Sequence, residues 1–428
     1  MTERAVRTHS HEFLWGTAIS EYQVSGAVGC PHSNWADWEI QRANGSRRIA
    51  RGRFSGNACD FKNKYHEYIA IMKELGTNAF RFSVEWSNVE PREGIFCAHA
   101  LTYYSDFCDA LINAGITPMI TLHHFTDPGW FAKKGGFENE ENISYFVRFC
   151  QKVFESLGHK VHFWATINEP NIYMFQGYLR GVFPPGKNNP FLALRVIKNL
   201  LEAHTRTYTA LKNMAHGIQA RIGFVHQYLM FYPYTSWNLF ERIPGFMFNH
   251  ILNTAILNFF KTGIFKVMNY EYRALSGEPM IDFVGLNYYS RVLVKAQMSI
   301  SNPFVPACYP DEIMTDMPYA LYPQGLYDAI VTVSQLNVPI YITENGIPDG
   351  KDDRREKFIT EYISQVHRAC ADGYDVRGYY YWSLMDNFEW DLGYLKKFGL
   401  CHVDFETKKM TVRAGGRSYA QAIKKYSE

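Results

Sequence analysis

Two glutamates stand where strand-like runs of this sequence end. Tyr341 to Gly346 reads YITENG, a β-favouring run that delivers Glu344 ahead of Asn345-Gly346. Phe163 to Pro170 reads FWATINEP, a run of the same kind whose Glu169 is followed by Pro170, and proline cannot continue a ladder. Two carboxylates presented at strand tips are equipment for cleaving a bond held between them, one giving a proton while the other attacks or activates water. Each run also has a plainer reading. Asn345-Gly346 is a tight-turn signal that would leave Glu344 in solvent, and Asn168, Glu169 and Pro170 could be the cap and first turn of a following helix.

The elements that carry these runs bear on the choice. Strand-like segments fall at Phe13–Ser20, Asn78–Val84, Thr117–Leu122, Val161–Ile167, Ala220–Gln227, Ile281–Tyr288, Pro339–Thr343 and Gly378–Leu384. Between and after them come helical periodicities at Phe61–Leu75, Leu101–Ala114, Glu141–Leu157, Phe191 to about Met214, Phe246–Ile264, Gln324–Leu336, Arg354–Ala371 and Ser418–Tyr426. Gly76, Gly115 and Gly158 stop three of those helices. Eight strands, each followed by a helix, predict an α/β chain closed as a single (β/α)8 TIM barrel with extended βα loops over residues 1–428. An open doubly wound sheet would want a Gly-rich phosphate loop after the first strand, and none is present. Residues 24–60 lack a period and read as a long loop, as do 228–245 and 291–323.

Composition excludes several classes. A chain of 428 residues with 47% hydrophobic and 16% aromatic content is built to bury a large core. Lys plus Arg number 44 against 42 Asp plus Glu, so no bulk attraction to nucleic acid or to an anionic membrane, and no nucleic-acid partner, is implied. The first thirteen residues, MTERAVRTHSHEF, hold no apolar segment of signal-peptide type, which places the expected site of action in the cytoplasm. Eight scattered cysteines without C-x-x-C spacing imply reduced thiols, with neither a metal site nor a disulfide framework, and no cofactor is called for. The most apolar run, Phe246–Ile264, is broken by Asn249, His250, Asn253, Asn258 and Lys261; no membrane span is expected, and an outer helix packed on the barrel is the preferred reading over a lipid-facing surface.

The predicted strand tips carry Gln23, Arg81, His124, Asn168 with Glu169, Asn287 with Tyr289, Glu344 and Trp382. Many hydrogen-bond partners beside an indole suit a polyhydroxylated ring, whose hydroxyls need donors and acceptors while its apolar face stacks. Metal ligation fits less well, since the adjacent His123 and His124 must point to opposite faces of a strand. From FLWGTAISEYQ (Phe13 to Gln23) through RFSVEWSNVEP, TLHHF, TINEPN, GLNYYS, ITENG and YWSLMDNFEW to FGLCHVDF (Phe398 to Phe405), the chain resembles the retaining β-glycosidases of glycoside hydrolase family 1.

That resemblance implies a hydrolase acting on a small-molecule β-glycoside, with Glu169 as general acid and base and Glu344 as nucleophile, about 5 Å apart. Arg81 would pair with Glu344 and the Tyr289 hydroxyl would orient it. Gln23, His124, Asn168, Asn287, Glu389 and Trp390 would contact the sugar, Asn168 at the 2-hydroxyl, with Trp382 beneath the ring and Phe398 shaping the rim. Family members acting on 6-phosphosugars typically lack the carboxylate at Glu389, and thioglucosidase members carry Gln in place of Glu169, so a neutral O-glycoside is implied.

Departures from the family pattern are Ser25 where Glu is common, Thr126 and Asp127-Pro128 after the histidines, and Asn88 where Arg is typical. Tyr228, Phe231, Tyr232, Tyr234 and Trp237 fit an aryl or lipid-like leaving group, or simply cover helix tops. Transfer of the sugar to an alcohol in place of water, and a barrel kept as a sugar binder without turnover, are the alternatives. No residue pattern specifies an oligomer.

Overall fold

The apolar strand-like runs pair with one another in parallel. In the computed structural model, which describes residues 12–43, 45–274, 280–299 and 303–427, eight strands form a closed barrel. They are β1 Leu14–Ala18, β2 Ala79–Ser83, β3 Thr117–His123, β4 Phe163–Asn168, β5 Arg221–Gln227, β6 Phe283–Asn287, β7 Ile340–Asn345 and β8 Val376–Trp382. Each lies within a residue or two of its predicted span. Neighbours follow chain order, and β1 closes the ring by pairing with β2 (Ala18 opposite Arg81) and with β8 (Ala18 opposite Trp382). Helices cover the outer face, so both faces of the strands are buried, which is why the runs read as continuously apolar.

The barrel interior is filled from its lower end. Ala79, Met119, Phe163, Phe283, Tyr341 and Tyr380 form one buried cluster with Trp382 above. Phe163, Phe283 and Tyr341 meet edge to face at 5.4 to 6.1 Å between centroids. Gly223 makes room for this plug, because a Cβ there would lie 2.5 Å from the Phe283 ring. Phe163 and Phe283 open their strands, whereas Asn168, Asn287 and Glu344 sit at or near the strand ends, so a dry floor lies beneath a polar mouth.

Three stretches expected to be loops are structured. Residues 24–60 contain most of the helix Glu21–Gly29 and the helix Asn34–Ile40, the latter capped by Ser33 accepting from the Ala36 N–H. Glu21–Gly29 is buried through its first six residues, and Asn34–Ile40 puts Asn34 and Glu39 on its buried face and Ile40 outside, so neither shows an apolar period. Within 228–245 and 291–323, Met230–Pro233 pairs in parallel with Arg291–Ala296, which pairs antiparallel with Phe304–Ala307. The helix expected from Phe246 starts earlier, at Leu239, with Asn238 capping the Phe240 N–H and Pro244 inside it. It runs through a π-turn at His250–Thr254 into Ala255–Thr262, whose Ile256, Leu257, Phe259 and Phe260 are buried. Among the described residues no helix is long and apolar enough to cross a membrane.

One buried cation ties together the loops after β7 and β8. Arg355 donates to the carbonyls of Ile347, Asp349, Lys397 and Phe398, to the Tyr381 hydroxyl and to Asp352. Removing it strands several buried acceptors at once. Arg355→Met is expected to cost about 3 kcal/mol in a urea titration; a loss within about 0.5 kcal/mol of zero would show that these loops hold without it.

Candidate active site

At the C-terminal end of the strands, Arg81 on β2 is fully buried and uses its whole guanidinium. Its Nε donates to Thr121 Oγ1 on β3 at 3.0 Å, one terminal nitrogen to Glu344 Oε1 on β7 at 2.6 Å, and the other to Asn168 Oδ1 on β4 at 2.6 Å. Asn287 Nδ2 on β6 donates to Glu169 Oε1 at 2.7 Å and to Asn168 Oδ1 at 3.2 Å. Glu169 and Glu344 therefore belong to one network, linked through Arg81, Asn168 and Asn287, at 5% and 3% exposure. The Tyr289 hydroxyl donates to the second oxygen of Glu344 at 2.7 Å.

The two carboxyl groups have unequal surroundings. Burial pushes Glu169 well above the ordinary carboxyl range, and the nearby Glu344 pushes it further, against weaker help from Asn287 and Arg81. Burial raises Glu344 too, but Arg81 and the Tyr289 hydroxyl oppose that directly. Of the coupled pair, Glu344 is the one equipped to hold a charge and Glu169 the one equipped to hold a proton.

Asn168 sets a tautomer. Its amide oxygen accepts from Arg81 and Asn287, so its nitrogen donates to His124 Nε2 at 3.1 Å, leaving the imidazole proton on Nδ1. Burial, with Arg81 alongside, holds His124 well below the ordinary histidine range, hence neutral. His124 Nδ1 and Gln23 Oε1 are both buried without a protein partner, a donor and an acceptor free for hydroxyls. His123 points outward, as strand alternation requires, to Asp127 Oδ1 at 3.0 Å.

The far wall brings Gln23, Glu389 and Trp390 together. Gln23 Nε2 donates to Glu389 Oε2 at 3.1 Å and to Asn387 Oδ1 at 3.2 Å. Gln23 sits on the helix Glu21–Gly29, just beyond the tip of β1 where it was expected. Trp390 packs among Tyr22, Trp35, Phe125 and Phe183, with His124 at 6.1 Å, and Trp382 lies 5.7 Å from His124. Phe398 is buried rather than at the rim, because it packs edge-on against Tyr289 at 6.0 Å and supports the hydroxyl that reaches Glu344. Every site residue expected from the sequence is thus gathered at one end of the barrel.

Local backbone explains the two motifs. Glu169 has φ 42° and ψ 60°, a left-handed conformation that heads the short helix Pro170–Met174 without its side chain capping it. The plainer reading as a helix start is therefore right for the backbone, and the carboxyl is spared for Asn287. Phe125 and Trp390 also carry positive φ, so three non-glycine residues around the mouth hold strained backbone. Asn345-Gly346 is no tight turn. Asn345 ends β7, tied to the Tyr288 carbonyl and the Tyr379 hydroxyl, and Gly346 is needed because a Cβ there would lie 1.7 Å from the Trp382 carbonyl oxygen.

Sequence reasoning missed Thr343, whose hydroxyl donates to Asn287 Oδ1 at 2.7 Å and so turns the Asn287 nitrogen toward Glu169. A threonine before a strand tip gives no sequence signal of that role. The family departures find partners: Ser25 donates to Glu21, Thr126 to Glu85, Asn88 to the Gly29 carbonyl, and Asp127 accepts from Tyr173 and Asn34. Of the aromatics after β5, Phe231 stacks on Phe248 and Tyr234 on Tyr309, while Trp237 stands exposed.

A closed barrel holding two buried carboxyl groups at its strand tips, beside indoles and unpaired hydroxyl partners, is the layout of a glycoside hydrolase. A sequence model described as glycosyl hydrolase family 1 matches residues 6–428. The chain is similar to β-glucosidase A of Thermotoga maritima, at 33% identity over 98% of this chain and 98% of that protein. It is also similar to 6-phospho-β-galactosidase of Clostridium acetobutylicum, at 31% identity over 93% of each. Among solved structures, the β-glycosidase from Pyrococcus horikoshii superposes with a TM-score of 0.87 at 35% identity, covering 97% of both chains. The chain belongs to glycosyl hydrolase family 1.

Burial, followed by Asp391, pushes Glu389 up to about 8 from an ordinary 4.5, against the hydrogen bond from Gln23. The folded chain therefore holds a proton there that the unfolded chain has lost, so this contribution to stability is complete at low pH and fades as pH rises toward 8. In Glu389→Gln the decline of Tm between about pH 5 and pH 8 should be shallower than in the parent. An identical slope would mean that Glu389 titrates normally.

Proposed function

We propose that this protein is a retaining exo-β-glycosidase that removes a terminal β-D-glucosyl residue and tolerates galactosyl or fucosyl, with Glu344 as nucleophile and Glu169 as acid and base. The observation that carries the reading is the unequal surroundings of the two carboxyl groups, one facing a guanidinium and a phenol, the other an amide and a charged neighbour.

In the first step Glu344 attacks the anomeric carbon while the bond to the leaving oxygen breaks and Glu169 delivers its proton to that oxygen. The glycosyl ester leaves Glu344 uncharged. The neighbour that raised Glu169 is gone, so Glu169, now ionised, takes a proton from water, which attacks the same carbon and releases Glu344. Arg81 recovers its partner. Asn168, fixed by Arg81 and Asn287, is held to meet the 2-hydroxyl, a contact that strengthens as the ring flattens. Gln23, His124, Glu389 and Trp390 bind the remaining hydroxyls, Trp382 stacks on the ring, and Phe398 backs Tyr289.

A neutral sugar is favoured over a phosphorylated one although a relative bears the name of a 6-phospho-enzyme. Glu389 is buried beside Asp391, Gln23 and Glu344, a lining of acids and an amide that suits hydroxyls better than a phosphate dianion. The closed wall of Gln23, Glu389 and Trp390 supports exo action, since it leaves no exit for a continuing chain. The cytoplasm is the proposed compartment: all eight cysteines are unpaired thiols, as a reducing environment keeps them.

Proton NMR of the first sugar released from a nitrophenyl β-glucoside should show the β-anomer; an initial α-anomer would exclude the covalent route. Glu344→Gly is expected to lose hydrolysis by at least about a thousand-fold, with azide then yielding the α-glycosyl azide, whereas azide with Glu169→Ala should yield the β product. The opposite pairing of variants and products would reverse the two roles.

A further inference from the structure

We propose that the outward face of the helix Leu239–Asn249 docks on an anionic lipid bilayer. The helix is amphipathic in the reverse sense. Leu239, Phe240 (76% exposed), Ile243 (60%), Phe246 (74%) and Met247 form one stripe at helical spacing that faces solvent, continued by Trp237 (79%) just before the helix. Its Glu241 and Asn249 point inward. Glu241 accepts from the backbone N–H groups of Thr235 and Ala296, and Asn249 exchanges hydrogen bonds with the Phe231 N–H and carbonyl. With the inner face already satisfied, the apolar stripe has no role in packing this chain. Large aromatics on an exposed helix face, contiguous with one another, are the pattern of a helix lying in the membrane interface.

Charge selects the occupant. Residues 228–249 and 291–312 hold Arg242, Arg291 and Lys295 against Glu241, which faces inward, and Asp311 and Glu312 at the end of the segment. Arg291 is taken by Glu312. Arg242 and Lys295 are exposed, and among the described residues neither has an ion-pair partner; Lys295 rests 4.5 Å over the Tyr234 ring, beside the stripe. Two free cations flanking an apolar ridge suit phospholipid headgroups. A second copy across a two-fold axis would instead bring the same cations face to face. Both segments follow the tips of β5 and β6, so docking would turn the end of the barrel that carries Glu169 and Glu344 toward the membrane.

The test is sedimentation of the full chain with vesicles of phosphatidylcholine alone and of phosphatidylcholine with phosphatidylglycerol, at low and high salt. Roughly ten-fold stronger binding to the anionic vesicles, weakened by salt, is expected. Tryptophan emission should shift to the blue on binding in the parent and much less in Trp237→Phe. Ile243→Glu with Phe246→Glu should abolish vesicle binding while far-UV circular dichroism and nitrophenyl β-glucoside hydrolysis stay unchanged. The proposal is overturned if the parent ignores anionic vesicles, if the double variant still binds them, or if the parent is a dimer in solution that the double variant splits into monomers.

Discussion

Arg81 is a buried cation, and the barrel mouth is arranged to make its burial tolerable. Taking a guanidinium out of water costs several kcal/mol unless its donors are all met. Here each of its three nitrogens finds an acceptor, on β3, β4 and β7, three strands that only barrel closure brings to one height. The registers that set Arg81 opposite Ala18 on one side and Met119 on the other fix that height. Once Arg81 is seated, Asn168 has its oxygen occupied, its nitrogen turns to His124, and the histidine proton is fixed on the side away from it. A single ion thus orients an amide and, two hydrogen bonds away, selects a tautomer.

The same low-dielectric setting separates the two glutamates. In water they would titrate together; in the barrel mouth the cation lies against one and the negative charge of that partner lies against the other. Their difference does not come from residue type, since both are glutamate, nor from burial, which is nearly equal. It comes from which strand tip each occupies. The chemistry proposed for this site alternates that difference, and the aromatic floor beneath excludes the water that would flatten it.

The barrel was legible because a parallel strand covered on both faces must be apolar throughout, and eight such runs alternated with helical periods. Glu169 and Glu344 were legible because both end such runs. The helices Glu21–Gly29 and Asn34–Ile40 were not, since the first buries polar and apolar residues alike and the second sets Asn34 and Glu39 inside and Ile40 outside, which hides the period. Gly346 was misread for a related reason: its lack of a side chain serves the Trp382 carbonyl, a neighbour distant in sequence, and not a local turn. Thr343 and Arg355 act through hydrogen bonds to atoms far along the chain, which local pattern does not encode. In Leu239–Asn249 the apolar spacing was present, but only coordinates reveal which side of a helix meets the core.

The contact of Gly346 with the Trp382 carbonyl limits how this barrel could change its diet. The tips of β7 and β8 touch backbone to backbone there, so no side chain fits at position 346, and the Trp382 backbone cannot shift toward it to admit a bulkier ring. Room for evolutionary adjustment lies beyond the strand tips, where Gln23 and Glu389 reach in as side chains from a helix and a loop and could be exchanged without disturbing a strand.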